Sequence, residues 1–108
     1  MIPLMEKRYE EALLFDFYGD LLTERQKQIF SEVVMEDYSL TEVAGELGIT
    51  RQGVHDMVRR CAKILEGYEE KLGLVRRFLE IREKTSEIRK LTADPAIMRL
   101  ADEILEEL

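Results

Sequence analysis

The sequence predicts an all-α fold, a helix-turn-helix domain with a long C-terminal helical extension. Three observations carry that reading. Leu, Glu, Lys, Arg, Ala and Met dominate a 108-residue chain that has only two Pro and six Gly. Local preference therefore runs towards helix nearly everywhere, and no sheet is expected. Apolar residues recur at spacings of three and four along most of the length, the signature of helices with one buried face. Finally, residues 39–60, SLTEVAGELGITRQGVHDMVRR, meet the requirements of a helix-turn-helix in the right order.

The first helix is expected from Glu6 to Tyr18, where Tyr9, Leu13 or Leu14 and Phe17 supply helically spaced apolar contacts and Gly19 ends the run. Thr23 and Gln26 then form a T-x-x-Q capping box, after which Ile29, Phe30, Val33 and Val34 make the stripe of a second helix. Glu36, Asp37 and Tyr38 read as a loop. Ser39 and Glu42 make a second box, S-x-x-E, and Leu40, Val43, Ala44 and Leu47 share one apolar face. Gly48 stands where the helix must end left-handed, a conformation in which a Cβ costs about 1 kcal/mol. Ile49 follows as a buried plug and Thr50 as the cap of the next helix, whose inward face is Val54, Met57 and Val58. Ala44 keeps the two helices close.

From Val54 the spacing changes character. Val54, Val58, Cys61, Leu65, Tyr68, Leu72, Val75 and Leu79 alternate steps of four and three, a heptad seam that faces a partner helix. A second seam, Leu74, Phe78, Ile81, Thr85 and Ile88, overlaps its end, with Gly73 placed to kink or break the helix at the overlap. Asp94 is a good N-cap and Pro95 suits the first helical position, so a terminal helix follows with Ile97, Leu100 or Ala101, Ile104, Leu105 and Leu108 on its apolar face. Residues 1–72 thus form the expected helical domain containing the helix-turn-helix (39–60), and residues 73–108 an extension for packing or dimerisation. The apolar residues after Cys61 exceed what a four-helix core can cover, which predicts a homodimer.

The net charge of −7 opposes binding to a polyanion, but its distribution matters. Residues 1–38 hold nine acids against four bases and residues 94–108 five against one, whereas residues 39–63 and 64–93 each carry one base in excess. A weakly basic middle between acidic ends can present a local basic face. Neither a long apolar run nor a charged leader before an apolar core is present, so a cytoplasmic protein without a membrane partner is expected. Cys61, the lone cysteine, reads as a buried thiol at a helix interface.

Turning Val54, Val58 and Cys61 inward leaves Gln52, Asp56, Arg59 and Lys63 near the opposite face of the recognition helix, with Arg51 and His55 to its sides. Gln bonds both the donor and the acceptor of an adenine, and Arg the two acceptors of a guanine. Thr50, Arg51 or Lys63 suit phosphates. The candidate nucleic-acid-binding residues are therefore Thr50, Arg51, Gln52, His55, Arg59 and Lys63. Asp56 opposes them unless it accepts from a cytosine amino group. His55 has no histidine partner for a metal and no nucleophile beside it, so neither a cofactor nor catalysis is expected. The carboxylates read as solvated helix faces, and Tyr9, Phe15, Phe17 and Tyr18 as packing aromatics rather than a base-stacking platform.

Three segments, LLFDFYGDLLTERQ (13–26), DYSLTEVAGELGITRQGVHDMVRR (37–60) and YEEKLGL (68–74), in this order and spacing resemble the bacterial YlxM family of helix-turn-helix proteins. The helix-turn-helix itself is similar to the promoter-recognising fourth region of primary sigma factors. The resemblance covers roughly residues 9–79. It implies an all-helical fold, nucleic-acid contact through Thr50, Arg51, Gln52, His55 and Arg59, and a regulatory or accessory role tied to the signal recognition particle pathway. Two expectations follow: a DNA-binding regulator linked to that pathway, or a non-DNA-binding adaptor that docks a protein or ribonucleoprotein component of it.

Overall fold

A computed structural model describes residues 4–108, with side chains from Lys7 onward. Among the described residues six α-helices follow one another: α1 (Leu4–Tyr18), α2 (Glu24–Phe30), α3 (Leu40–Leu47), α4 (Arg51–Leu72), α5 (Leu74–Leu91) and α6 (Pro95–Glu107). No strand occurs among the described residues, and the fold is all-α. No helix is long and apolar enough to cross a membrane. Chain contacts divide into two compact units, residues 1–72 and 73–108.

In the first unit each boundary follows from local chemistry. α1 begins two residues earlier than its apolar spacing indicates and ends at Tyr18, where a single tight turn, Gly19–Leu21, takes over. The Thr23 capping box is complete. The Gln26 N–H donates to Thr23 Oγ1 (3.2 Å), and the Thr23 N–H donates to Gln26 Oε1 (3.0 Å), so two orphan donors of the α2 start are satisfied. Beyond Phe30 the helix widens into a π turn, Ser31–Met35, closed by the Glu36 N–H donating to the Ser31 carbonyl at 2.9 Å. Asp37 then takes a positive φ of 58° and pairs with Arg8 of α1.

The second capping box is only half made. Ser39 Oγ accepts from the Glu42 N–H (3.1 Å), but the Glu42 side chain does not return the bond, and its carboxylate instead acts as an acid in the first turn. α3 ends as the sequence requires, with Gly48 left-handed at φ 67°, ψ 32°. Ile29, Val43, Ala44 and Val54 form the buried centre, and Val33, Leu40, Leu47, Ile49, Met57 and Val58 pack around it. The Ile49 plug and the inward face of α4 are thus in place. Fully burying Ile29, Val43 and Val54 is worth about 1.5–3 kcal/mol each, which helps to hold together helices too short to persist alone.

α4 continues inward through Cys61 and Leu65, both fully buried. The Cys61 thiol lies 3.8 Å from the Gln26 carbonyl, which accepts its weak bond. Farther along, Tyr68 stacks on the buried Tyr18, and Tyr18 Oη donates to Glu69 Oε1 at 2.6 Å. Tyr18 and Phe15, which stacks on Phe30 with ring centroids 5.5 Å apart, are packing aromatics as expected. Tyr9 and Phe17 are not core residues: they stay 47% and 39% exposed, because Leu13 and Tyr18 supply the buried contacts of α1.

The long seam does not run unbroken. α4 stops at Leu72, itself 53% exposed, because Gly73 is left-handed (φ 64°) and a new helix begins at Leu74. The reset of register separates Val75 and Leu79 from the residues that precede them. In the second unit α5 and α6 pack against each other through a three-residue turn, Thr92–Asp94. Asp94 Oδ1 accepts from the Ala96 N–H (2.8 Å), and Pro95 occupies the first helical position, where its missing N–H costs nothing. Arg89 Nε donates to Asp102 Oδ1 at 2.7 Å, which fixes the pairing of the hairpin. Thr85, the buried polar residue of α5, returns its hydroxyl to the Ile81 carbonyl (2.7 Å) and so leaves no unmet donor.

Candidate nucleic-acid interface

The recognition helix α4 is set by the turn that precedes it. Gly48 reverses the chain, Ile49 anchors it in the core, and Thr50 Oγ1 accepts from the Gly53 N–H at 3.0 Å. With Val54 fully buried three residues into the helix, the rotation of α4 about its axis is fixed. Helical geometry of about 100° per residue then determines which side chains face away.

Each candidate residue lies where that rotation predicts. Thr50, Arg51, Gln52, His55, Arg59 and Lys63 are all exposed. Arg59 and Lys63 come together with Asp56 and Arg60 around a shallow depression of about 240 Å³. Arg60 is the residue that sequence reasoning missed. Its signal was available, since Asp56 and Arg60, like Arg59 and Lys63, are four apart and therefore neighbours on a helix surface. Arg51 and Thr50 lie at the opening turn, more than three turns from Lys63 along the axis.

From Arg51 to Lys63 the surface carries four cations, Arg51, Arg59, Arg60 and Lys63, against the single carboxylate of Asp56. The first turn of α4 contains no acidic residue, so the positive end of the helix dipole there is uncancelled. Asp56 is tied into the same face. Its Oδ1 accepts from Gln52 Nε2 at 2.9 Å and lies 4.0 Å from His55 Nδ1. Behind the face, burial pushes the Cys61 thiol above its ordinary range, and the neighbouring charge of Arg60 partly opposes that shift. A neutral buried thiol is neither a nucleophile nor a metal ligand. Among the described residues no three His, Cys, Asp or Glu side chains converge on a metal position.

A helix ended by a left-handed glycine, followed by an anchored plug and a capped helix with a basic outer side, is the arrangement common to helix-turn-helix proteins. Residues 5–104 match the model of the family described as YlxM/p13-like helix-turn-helix proteins, UPF0122. The chain belongs to this family. A UPF0122 protein of Thermoanaerobacter sp. (strain X514) is 45% identical over 104 residues, covering 90% of this chain and 89% of its own length. A UPF0122 protein of Acetivibrio thermocellus is 43% identical over 114 residues, covering 96% and 97%, and one of Bacillus pumilus 41% identical over 104 residues, covering 96% and 94%. For this UPF0122 member the match therefore spans both units, including α6.

Proposed function

We propose that this UPF0122 protein is a non-enzymatic helix-turn-helix regulator that contacts nucleic acid, DNA foremost, through the outer side of α4. The observation that carries the reading is the combination of a fixed α4 rotation with four outward cations and Gln52 beside them. Gln52 and Arg59 are the base-reading candidates, and Thr50, Arg51 and Lys63 the phosphate-holding ones, with His55 at the side of the same face. Arg60 joins the phosphate set by its place beside Arg59 and Lys63. The family resemblance extends the proposal to a regulatory role in the signal recognition particle pathway.

One observation favours a second reading. The Gln52–Asp56 bond occupies the side chain best suited to an adenine, and a carboxylate in the middle of the face repels phosphate. Under that reading the same fold is an adaptor that docks a protein or ribonucleoprotein component of the pathway. Selection from random and genomic duplexes at low salt separates the two, because weak basic binders gain most affinity there. Enrichment of a shared sequence supports the DNA reading. An empty selection, with binding to purified signal recognition particle protein or RNA that survives Arg51→Ala and Arg59→Ala, replaces it with the adaptor.

A further inference from the structure

Within residues 73–108 only Val75, Thr85 and Ala101 are buried, while eight large apolar side chains are exposed, seven of them along two stripes and Leu91, 83% exposed, at the end of α5. On α5 these are Leu74, Ile81 and Ile88, spaced by seven and 41%, 40% and 50% exposed. On α6 they are Ile97, Leu100, Ile104 and Leu108, between 41% and 53% exposed. The second seam read from the sequence is thus divided: Thr85 turns inward, whereas Leu74, Ile81 and Ile88 face out.

Both stripes lie on one side of the hairpin. At about 100° per residue, the buried Thr85 and the α6-bonded Arg89 lie clockwise of the Leu74–Ile81–Ile88 line when α5 is viewed from its N-terminus. The inward positions Met98, Ala101 and Leu105 are displaced in the same rotational sense from the Ile97–Ile104 line. Because α6 runs back along α5, equal displacements bring the two stripes out together. The combined face is on the order of 500 Å², as large as the largest apolar patch of an ordinary monomer, which is often a functional one.

We propose that this face binds the same face of a second copy of the chain, completing a four-helix bundle in which α5 of one copy lies over α6 of the other. Charge complementarity selects this occupant. Beside the α5 stripe stand Arg77 and Lys84, with Glu80 and Glu87 farther from it, and beside the α6 stripe Glu107 and Glu103, the latter 3.9 Å from Arg99 of its own helix. Stacking α5 on α6 sets Arg77 and Lys84 against Glu103 and Glu107, twice by symmetry. The self-complementary pairing covers seven aliphatics per copy and gives the hairpin the core that a two-helix unit lacks.

Light scattering and sedimentation equilibrium of the full chain test it. The expected mass is about twice the 12.7 kDa of one chain at micromolar concentration. Ile81→Glu with Ile104→Glu, both at exposed positions, is expected to yield a monomer of unchanged helicity, whereas Leu21→Glu, at a still more exposed site in the first unit, leaves the dimer intact. Lys84→Glu and Glu107→Lys are each expected to weaken dimerisation at least tenfold, and the two together to restore it. A monomeric wild-type chain overturns the proposal and assigns the face to a different partner. So does a dimer indifferent to the Ile81 and Ile104 substitutions, and failure of the double swap to restore affinity overturns the placement of α5 over α6.

Discussion

Gln52 donates from Nε2 to Asp56 Oδ1 across 2.9 Å, one turn apart on the outer side of α4. Each side chain thereby limits the other. The amide that would read a base is held by a carboxylate, and the carboxylate is turned towards an amide rather than towards Arg60, its neighbour four residues on. Under the nucleic-acid reading, Asp56→Ala removes a repulsive charge and releases Gln52 together. Affinity for duplex DNA at low salt is expected to rise by roughly fivefold, the worth of about 1 kcal/mol for one close charge in water. Fluorescence anisotropy checks this, and unchanged or weaker binding means that Asp56 is not opposing a phosphate.

The two glycines at positions 48 and 67 are expected to respond in opposite ways. Gly48 has open space around a prospective Cβ, so its constraint is entirely the left-handed backbone. Gly48→Val forces a β-branched residue there and should cost at least about 1–2 kcal/mol. Gly67 lies in mid-helix with nothing within 4 Å of an added methyl group, and Gly67→Ala should be neutral or stabilise by up to about 1 kcal/mol. Thermal melts of the two variants decide it.

Cys61 should give the protein an alkaline limb. Burial raises its pKa in the folded state, so the folded chain keeps the thiol proton after the unfolded chain has lost it. The unfolded state then binds fewer protons, and the slope of stability against pH is negative. The contribution is fully present below about pH 8.5 and is lost as pH rises towards the folded pKa. Urea titrations between about pH 7 and pH 10 should show the decline in the wild type and a smaller one in Cys61→Ala, compared at matched ionic strength.

The complete capping box at Thr23 and the half-made one at Ser39 differ in what their third residues do. Replacing Thr23 or Ser39 by Ala should each cost about 1 kcal/mol, since each hydroxyl accepts a backbone N–H. Gln26→Ala should add a further loss by freeing the Thr23 N–H, whereas Glu42→Ala should remove only a surface dipole interaction of about 0.3–1 kcal/mol. Denaturation midpoints of the four variants check the order, and an equal loss at Gln26 and Glu42 contradicts the asymmetry.

Residues whose role is local were the most legible in the sequence. Gly48, Thr50, Thr23, Asp94 and Pro95 each act within four residues of their own position, so their types alone announced the boundaries. The π turn at Ser31–Met35 carried no such mark, because Ser, Glu, Val and Met suit an α-helix equally well and only packing selects the wider turn. The heptad seam misled past Leu72 for a related reason. Spacing records which side chains can share a face, but one left-handed glycine resets the register without altering the spacing. At the candidate interface the outward set of α4 followed from Val54 and Cys61. The Gln52–Asp56 bond and the place of Arg60 did not, since they depend on rotamers rather than on the turn of the helix.

The hydrogen bond from Tyr18 to Glu69 spans 51 residues, and the bond from Arg89 to Asp102 spans 13. Closing the longer loop costs about 1 kcal/mol more in chain entropy, and it becomes possible only once α4 is nearly complete. The two separations therefore predict an order of assembly, which stopped-flow refolding of variants at Tyr18 and at Arg89 would test. The hairpin of α5 and α6 closes over the shorter path and is expected to form first, while the clasp between Tyr18 and the far turns of α4 is expected later, because it needs the two ends of its own unit to meet.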